Sequence, residues 1–100
     1  MDIKVQAVNF TADSGLVEFT EERLGKLEQF FDQIISSEVF LKVDKADSKG
    51  NKDVEIRISI PGKDLFASKQ CDSFEEAIDE TVDALRRQVI KHKEKLTAKH

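Results

Sequence analysis

The chain has a single cysteine, Cys71, and neither tryptophan nor tyrosine among its 100 residues. One cysteine excludes an internal disulfide and a cysteine-based zinc cluster, and it favours a reducing compartment. No apolar run approaches the roughly 20 residues that crossing a bilayer requires. The N-terminal segment Met1–Phe10 alternates apolar and polar residues as a strand does, unlike a signal peptide. We therefore expect one globular cytoplasmic domain spanning residues 1–100, with no membrane partner.

Recognisable catalytic and ligand-binding motifs are also missing. The sequence has no Ser-His-Asp order, no nucleotide-binding loop and no glycine-rich cradle. The two histidines, His92 and His100, form neither a pair nor a Cys-His group of the kind that binds zinc. Cys71 has only Lys69 as a nearby base, so burial at a strand end is its expected role. The sequence thus predicts a protein that is not an enzyme and has no cofactor, metal ion or small-molecule substrate.

Charge is distributed unevenly along the chain, whose formal net charge is −4. Residues 86–100 hold six lysines or arginines against one acid, Glu94. Residues 1–85 hold ten bases against nineteen acids. One end is therefore basic and the remainder acidic, which favours an oriented contact with a polyanion.

Hydrophobic periodicity predicts six elements in the order βαβββα. Asp13 is a candidate cap for the first helix, and Ser73 with Glu76 forms a capping-box pattern before the second. The predicted strands cover Ile3–Phe10, Val39–Ala46, Val54–Ile60 and Leu65–Cys71. The predicted helices run from Ser14 or Gly15 to a point between Phe31 and Gln33, and from just after Ser73 to about Leu96.

Two turns set the expected arrangement of the last three strands. Asp47–Asn51 is a cluster of turn-forming residues, and Pro61-Gly62 suits the central positions of a type II turn. These turns imply an antiparallel meander. The expected fold class is α+β, with a four-stranded sheet and both helices packed on one face. Nine residues are expected to lie in the core between the sheet and the helices. On the third strand they are Val54, Ile56, Ile58 and Ile60, and on the two helices they are Leu24, Leu27, Ile78, Leu85 and Val89.

The second predicted helix carries a group of bases away from its apolar stripe. At about 100° per residue, Arg87, Lys91 and Lys95 fall roughly opposite that stripe, and Arg86 and Lys93 lie on one flank. Several shallow cationic contacts of this kind suit the phosphates of an RNA backbone.

Two other interpretations of the charged residues remain open. Acids at the start of a helix and bases at its end also favour the helix dipole, so a solvated helix explains part of the pattern. The acidic surface would then serve a small protein–protein interaction module without an RNA role. On the first helix, Arg23 and Lys26 lie beside Phe19 and Phe30, where they either lie over an apolar edge or extend the basic surface.

Several segments, in order, resemble the ribosome hibernation-promoting factor family. The segment Lys26–Ile34 is similar to the end of that family's first helix, and Leu41-Lys42-Val43 to its second strand. Ala67-Ser68 stands where the last strand has the same pair. The closing helix is matched most closely, through Ala77-Ile78-Asp79, Leu85–Gln88 and Lys91–Leu96. The resemblance covers essentially the whole chain.

The resemblance implies a fold like that of a double-stranded-RNA-binding domain. It also implies binding to the small ribosomal subunit and its rRNA, in the channel for messenger and transfer RNA. Such binding inhibits translation in slow growth and promotes hibernation of idle ribosomes as dimers. The length resembles the short members of the family, so a monomer is expected away from the ribosome. The family's RNA-binding bases correspond to Arg23, Lys26, Arg86, Arg87, Lys91, Lys93 and Lys95.

Overall fold

The computed structural model describes residues 1–44 and 49–97, without the side chains of residues 96 and 97. The predicted order of elements is confirmed. The elements are β1 (Asp2–Val8), α1 (Ser14–Phe30), β2 (Ser36–Val43), β3 (Lys52–Ile60), β4 (Lys63–Cys71) and α2 (Phe74–Thr97). Three details of the prediction lie outside the described residues: the end of the second strand at Ala46, the beginning of the turn at Asp47 and the packing of the Leu96 side chain.

The four strands form one mixed sheet in the order β1-β2-β3-β4. Because α1 returns the chain to the same end of the sheet, β1 pairs with β2 in parallel, with Val5 opposite Val39. β2, β3 and β4 pair antiparallel, as the two turns predict. The β3–β4 connection is the two-residue turn Pro61-Gly62, where Gly62 has a φ of 87°. A positive φ at that position is what a type II turn requires of its second central residue.

The local signals at the helix starts are confirmed. Asp13 caps α1, because its Oδ1 accepts a hydrogen bond of 2.8 Å from the backbone N–H of Leu16. Ser73 caps α2, because its Oγ accepts a hydrogen bond of 3.1 Å from the backbone N–H of Glu76. Each bond satisfies one N–H that the first turn of a helix leaves without an intrahelical partner.

Several predicted boundaries need correction. The third and fourth strands each begin two residues before the predicted start, at Lys52 and Lys63. The first strand ends at Val8 and not at Phe10, because Asn9 turns the backbone to a φ of 65°. The first helix ends at Phe30, because the backbone of Phe31 is extended. The second strand begins at Ser36, three residues before the predicted start at Val39. Its first core-facing side chain is Ser37, which is 1% exposed and donates a hydrogen bond of 2.9 Å to Met1 Sδ. Because serine is polar, the hydrophobic alternation that predicts a strand does not begin at this residue.

One face of the sheet and the apolar sides of both helices share a single hydrophobic core. Leu24 of α1, Ile56 of β3 and Leu85 of α2 are all fully buried in it. All nine residues predicted for the core are buried, so the placement of both helices on one face is confirmed. α2 packs on β3 and β4 and lies against α1. Within the described residues, neither helix combines the length and apolar composition that spanning a membrane requires.

Candidate nucleic-acid interface

The C-terminal half of α2 exposes all of the bases that the sequence singles out on this helix. The apolar stripe through Ile78, Leu85 and Val89 is fully buried and fixes which side of α2 faces the sheet. The side of the helix opposite this stripe therefore faces solvent. The exposed bases are Arg86, Arg87, Lys91, Lys93 and Lys95.

Four of these five bases lie on the flanks of α2, two on each flank. On the flank towards β4, Gln88 Nε2 donates a hydrogen bond of 2.8 Å to the backbone carbonyl oxygen of Phe66. β4 is an edge strand of the four-stranded sheet, so this bond holds α2 along that edge of the sheet. Lys91 and Lys95 follow on the same flank. There they line a groove of about 290 Å³, together with Lys63 at the start of β4.

Lys63 is a member of this surface that the sequence analysis missed. It directly follows the Pro61-Gly62 turn, far along the chain from the bases of α2. α2 begins just after β4 ends and runs back beside it, so its last turns lie next to the first residues of β4. The order of the elements indicated that α2 follows β4. Only the packing of α2 back along β4 brings Lys63 next to Lys91 and Lys95.

On the flank towards α1, two bases lie over the ring of Phe30, the last residue of that helix. The guanidinium carbon of Arg86 is 5.0 Å from the ring centroid, and Lys93 Nζ is 4.5 Å from it. Both distances are within the range of cation–π attraction. Lys93 Nζ also donates a hydrogen bond of 3.5 Å to the backbone carbonyl oxygen of Phe30, at the negative end of the α1 dipole.

Arg87 projects from α2 between the two flanks. Its guanidinium forms an exposed ion pair with Asp83, one turn earlier on the same helix. Such an i, i+4 pair contributes only about 0.3–0.5 kcal/mol when it is exposed. Asp83 therefore orients Arg87 without preventing an exchange of partners with a phosphate.

The two bases of α1 differ in their surroundings. Arg23 Nε lies 2.8 Å from Asp79 Oδ1 of α2, and the guanidinium also lies over the ring of Phe19, 4.8 Å from its centroid. Lys26 is exposed and has Glu22 as a distant partner at 4.0 Å. Arg23 thus connects the two helices, whereas Lys26 projects into solvent. The prediction that both extend the basic surface remains a prediction.

The contacts of His92 and Cys71 indicate structural roles for both residues. The ring of His92 meets the buried ring of Phe31 edge to face, with 5.9 Å between centroids. Cys71 is partly buried at the end of β4 and donates a hydrogen bond of 3.4 Å to Glu80 Oε2. Burial, with the neighbouring Glu80 carboxylate, raises the pKa of the Cys71 thiol to about 11. The thiol is therefore protonated near neutral pH and is a poor nucleophile.

The sequence matches one protein family over nearly its whole length. The family model described as "Sigma 54 modulation protein / S30EA ribosomal protein" matches residues 3–97. A ribosome hibernation promoting factor of Escherichia coli (strain K12) is 35% identical over 101 residues, covering 96% of this chain and 97% of that protein. A ribosome hibernation promoting factor of Azotobacter vinelandii is 32% identical over 95 residues, covering 95% of this chain and 85% of that protein.

Two solved structures share the fold. A ribosomal subunit interface protein from Coxiella burnetii superimposes with a TM-score of 0.83 at 22% identity, covering 93% of this chain and 98% of that one. The N-terminal domain of Thermus thermophilus Protein Y superimposes with a TM-score of 0.78 at 25% identity, covering 92% and 99%. The fold of this chain is therefore the fold of both solved structures.

Proposed function

The chain belongs to the Sigma 54 modulation protein / S30EA ribosomal protein family, and we propose that it is a cytoplasmic translation inhibitor that binds the small ribosomal subunit through its rRNA. The binding site is the channel for messenger and transfer RNA, and binding promotes the dimerisation of idle ribosomes in slow growth. The C-terminal half of α2 provides the contact surface. The residues proposed to contact RNA are Arg23 and Lys26 on α1, Lys63 on β4, and Arg86, Arg87, Lys91, Lys93 and Lys95 on α2.

The position of the bases along α2 is the observation that supports this proposal most. A helix dipole favours cations only near the last turn, and Lys95 is the one base in the last turn of α2 as far as the structure describes it, to Thr97. Arg86, Arg87 and Lys91 lie six or more residues before the end of α2 at Thr97, where the dipole contributes little. The helix dipole therefore does not explain this part of the basic surface, whereas phosphate binding does.

The spacing of the bases also suits a polyanion. From Arg87 to Lys95 the helix rises by about 12 Å, at 1.5 Å per residue. Over that length, cations project on both flanks of the helix and from its outer side. Contacts of this kind are made to a nucleic-acid backbone, and each one releases counterions. Binding should therefore depend on the shape of the RNA and on the salt concentration more than on base sequence.

The acidic half of α2 gives the bound protein an orientation. Glu75 and Glu76 lie in the first turn of α2, on the opposite end from the bases, and Glu80 follows one turn later. RNA phosphates repel this end, so only the C-terminal half of the helix can approach the backbone closely. An acidic protein with a localised basic surface is thereby directed to a concave RNA site instead of coating RNA nonspecifically.

Sucrose-gradient sedimentation with purified ribosomes tests the proposal. We expect the protein to migrate with the small subunit and with ribosomes at low salt, and to shift ribosomes towards dimers as its concentration rises. Light scattering of the protein alone should report a monomer at micromolar concentration. A protein that remains at the top of the gradient at low salt would instead favour the interpretation as a protein–protein interaction module.

A further inference from the structure

Phe30 and Ile90 form an apolar groove in the most basic part of the molecule. The groove lies between the end of α1 and the C-terminal half of α2, has a volume of about 310 Å³ and is also lined by Lys93 and Glu94. Ile90 is 37% exposed. An isolated exposed isoleucine on a convex surface needs no explanation. Here it forms part of a concave surface together with an aromatic ring, which is the setting of a binding site.

The charges around the groove restrict what it can bind. Arg86 and Lys93 both lie over the Phe30 ring, and Arg87 lies one residue further along α2. Glu94, an acid, also lines the groove, but the three cations outnumber it. The groove is therefore complementary to a ligand that is flat and apolar at its centre and anionic along its border. A nucleotide has that composition, since its base is a flat π-system joined to a phosphate.

We propose that this groove binds an unpaired RNA base, while the neighbouring cations contact the phosphates on either side of it. The inference rests on the proposed binding to ribosomal RNA and adds a structural feature of the RNA that is recognised. Proteins bind unpaired bases by stacking them on aromatic rings and on arginine guanidinium planes. The Arg86 guanidinium over Phe30 provides both elements at one place. A base within a continuous duplex cannot reach them.

Uncharged substitutions separate this contact from phosphate binding. Ile90→Ala and Phe30→Leu remove no cation from the surface. Phe30→Leu does remove the ring over which Arg86 and Lys93 lie, so Ile90→Ala, which leaves that ring intact, is the cleaner of the two variants. The matched controls are Ile35→Ala and Phe66→Leu, at residues that are 59% and 49% exposed and lie outside the groove. We expect each groove variant to weaken ribosome binding by roughly 5- to 100-fold, the effect of losing one stacked base. The slope of the logarithm of affinity against the logarithm of salt concentration should not change, because no phosphate contact is lost.

Ultraviolet cross-linking of the ribosome complex identifies the occupant. We expect mass spectrometry to find a nucleotide attached to the α1 peptide that contains Phe30 or to the α2 peptide that contains Ile90. Circular dichroism should show that both groove variants are folded. Binding by the groove variants that equals binding by the control variants would overturn the inference, as would a groove peptide joined only to a ribosomal protein. In either case the parent would still bind ribosomes. Absence of ribosome binding by the parent would instead overturn the proposed function itself.

Discussion

Arg23 of α1 and Asp79 of α2 join the two helices on the side away from the sheet, with 2.8 Å between Nε and Oδ1. The pair lies at the acidic half of α2, before the basic surface begins. About a third of the Arg23 side chain is exposed, and half of the Asp79 side chain is. Solvent therefore screens the attraction, and its contribution to stability is small.

We expect Arg23→Ala to lower the free energy of unfolding by about 0.2–1 kcal/mol, with some further loss from the contact with Phe19. Urea unfolding of Arg23→Ala, Asp79→Ala and the double variant measures the coupling between the two residues. Because Arg23 lies beside the acidic half of α2, whereas Arg87 lies among the bases of its C-terminal half, ribosome binding should fall less in Arg23→Ala than in Arg87→Ala. A larger loss of binding in Arg23→Ala would show that this arginine exchanges its partner for a phosphate.

The second prediction concerns Lys63, which only the folded structure brings to the basic surface. Lys63→Gln removes one cation from the groove beside Lys91 and Lys95. Ribosome binding should weaken, and the slope of log affinity against log salt should decrease by about 0.7–0.9, the value for one phosphate contact. Lys42→Gln is the matched control, because Lys42 is an exposed strand lysine on the face of the sheet away from the helices. Equal effects of the two substitutions would remove Lys63 from the interface.

The third prediction compares two glycines whose surroundings offer equal space. At both Gly25 and Gly62 an added Cβ would have no atom within 4 Å, but only Gly62 has a positive φ, of 87°. Gly25 lies inside α1, so Gly25→Ala should raise the free energy of unfolding by roughly 0.5–1 kcal/mol. Gly62→Ala should lower it by about 1–2 kcal/mol, because an L side chain disfavours that backbone conformation. Thermal unfolding of both variants measures the two signs, and stabilisation by Gly62→Ala would contradict the assigned turn.

The alternation of apolar residues predicted the order of the elements and the core correctly, because burial on one face imposes a period on each strand and helix. Ile56 and Ile58 illustrate this, since both are fully buried as expected. Boundaries that depend on single backbone angles or on polar residues at the core were placed wrongly. Asn9 ends β1 through a positive φ, and Ser37 begins β2 without an apolar side chain.

The candidate site was predictable as far as it lies on one helix. The spacing of Arg87, Lys91 and Lys95 depends only on helix geometry, and their exposure follows from the apolar stripe on the other side. Contacts between elements were not predictable. The positions of Lys63 beside α2 and of Phe30 beneath two cations depend on how helices and sheet pack, which no local pattern encodes.

The central claim is that the C-terminal half of α2 binds phosphates of ribosomal RNA. Co-sedimentation of the variant Arg87→Glu, Lys91→Glu, Lys95→Glu with ribosomes, at two salt concentrations, tests it most directly. The variant should stay folded by circular dichroism, because none of the three side chains lies in the core. The loss of stability should be modest. Within the described part of α2, only Lys95 of the three lies in the last turn, where the helix dipole stabilises a cation by about 0.3–1 kcal/mol.

Glu75→Gln with Glu76→Gln on the same helix is the control, and Asp83 is left unchanged because it contacts Arg87. We expect the folded triple variant to remain in the supernatant at both salt concentrations. The parent and the glutamine control should pellet with ribosomes at low salt and be released at high salt. A folded triple variant that pellets as well as the parent would contradict the claim.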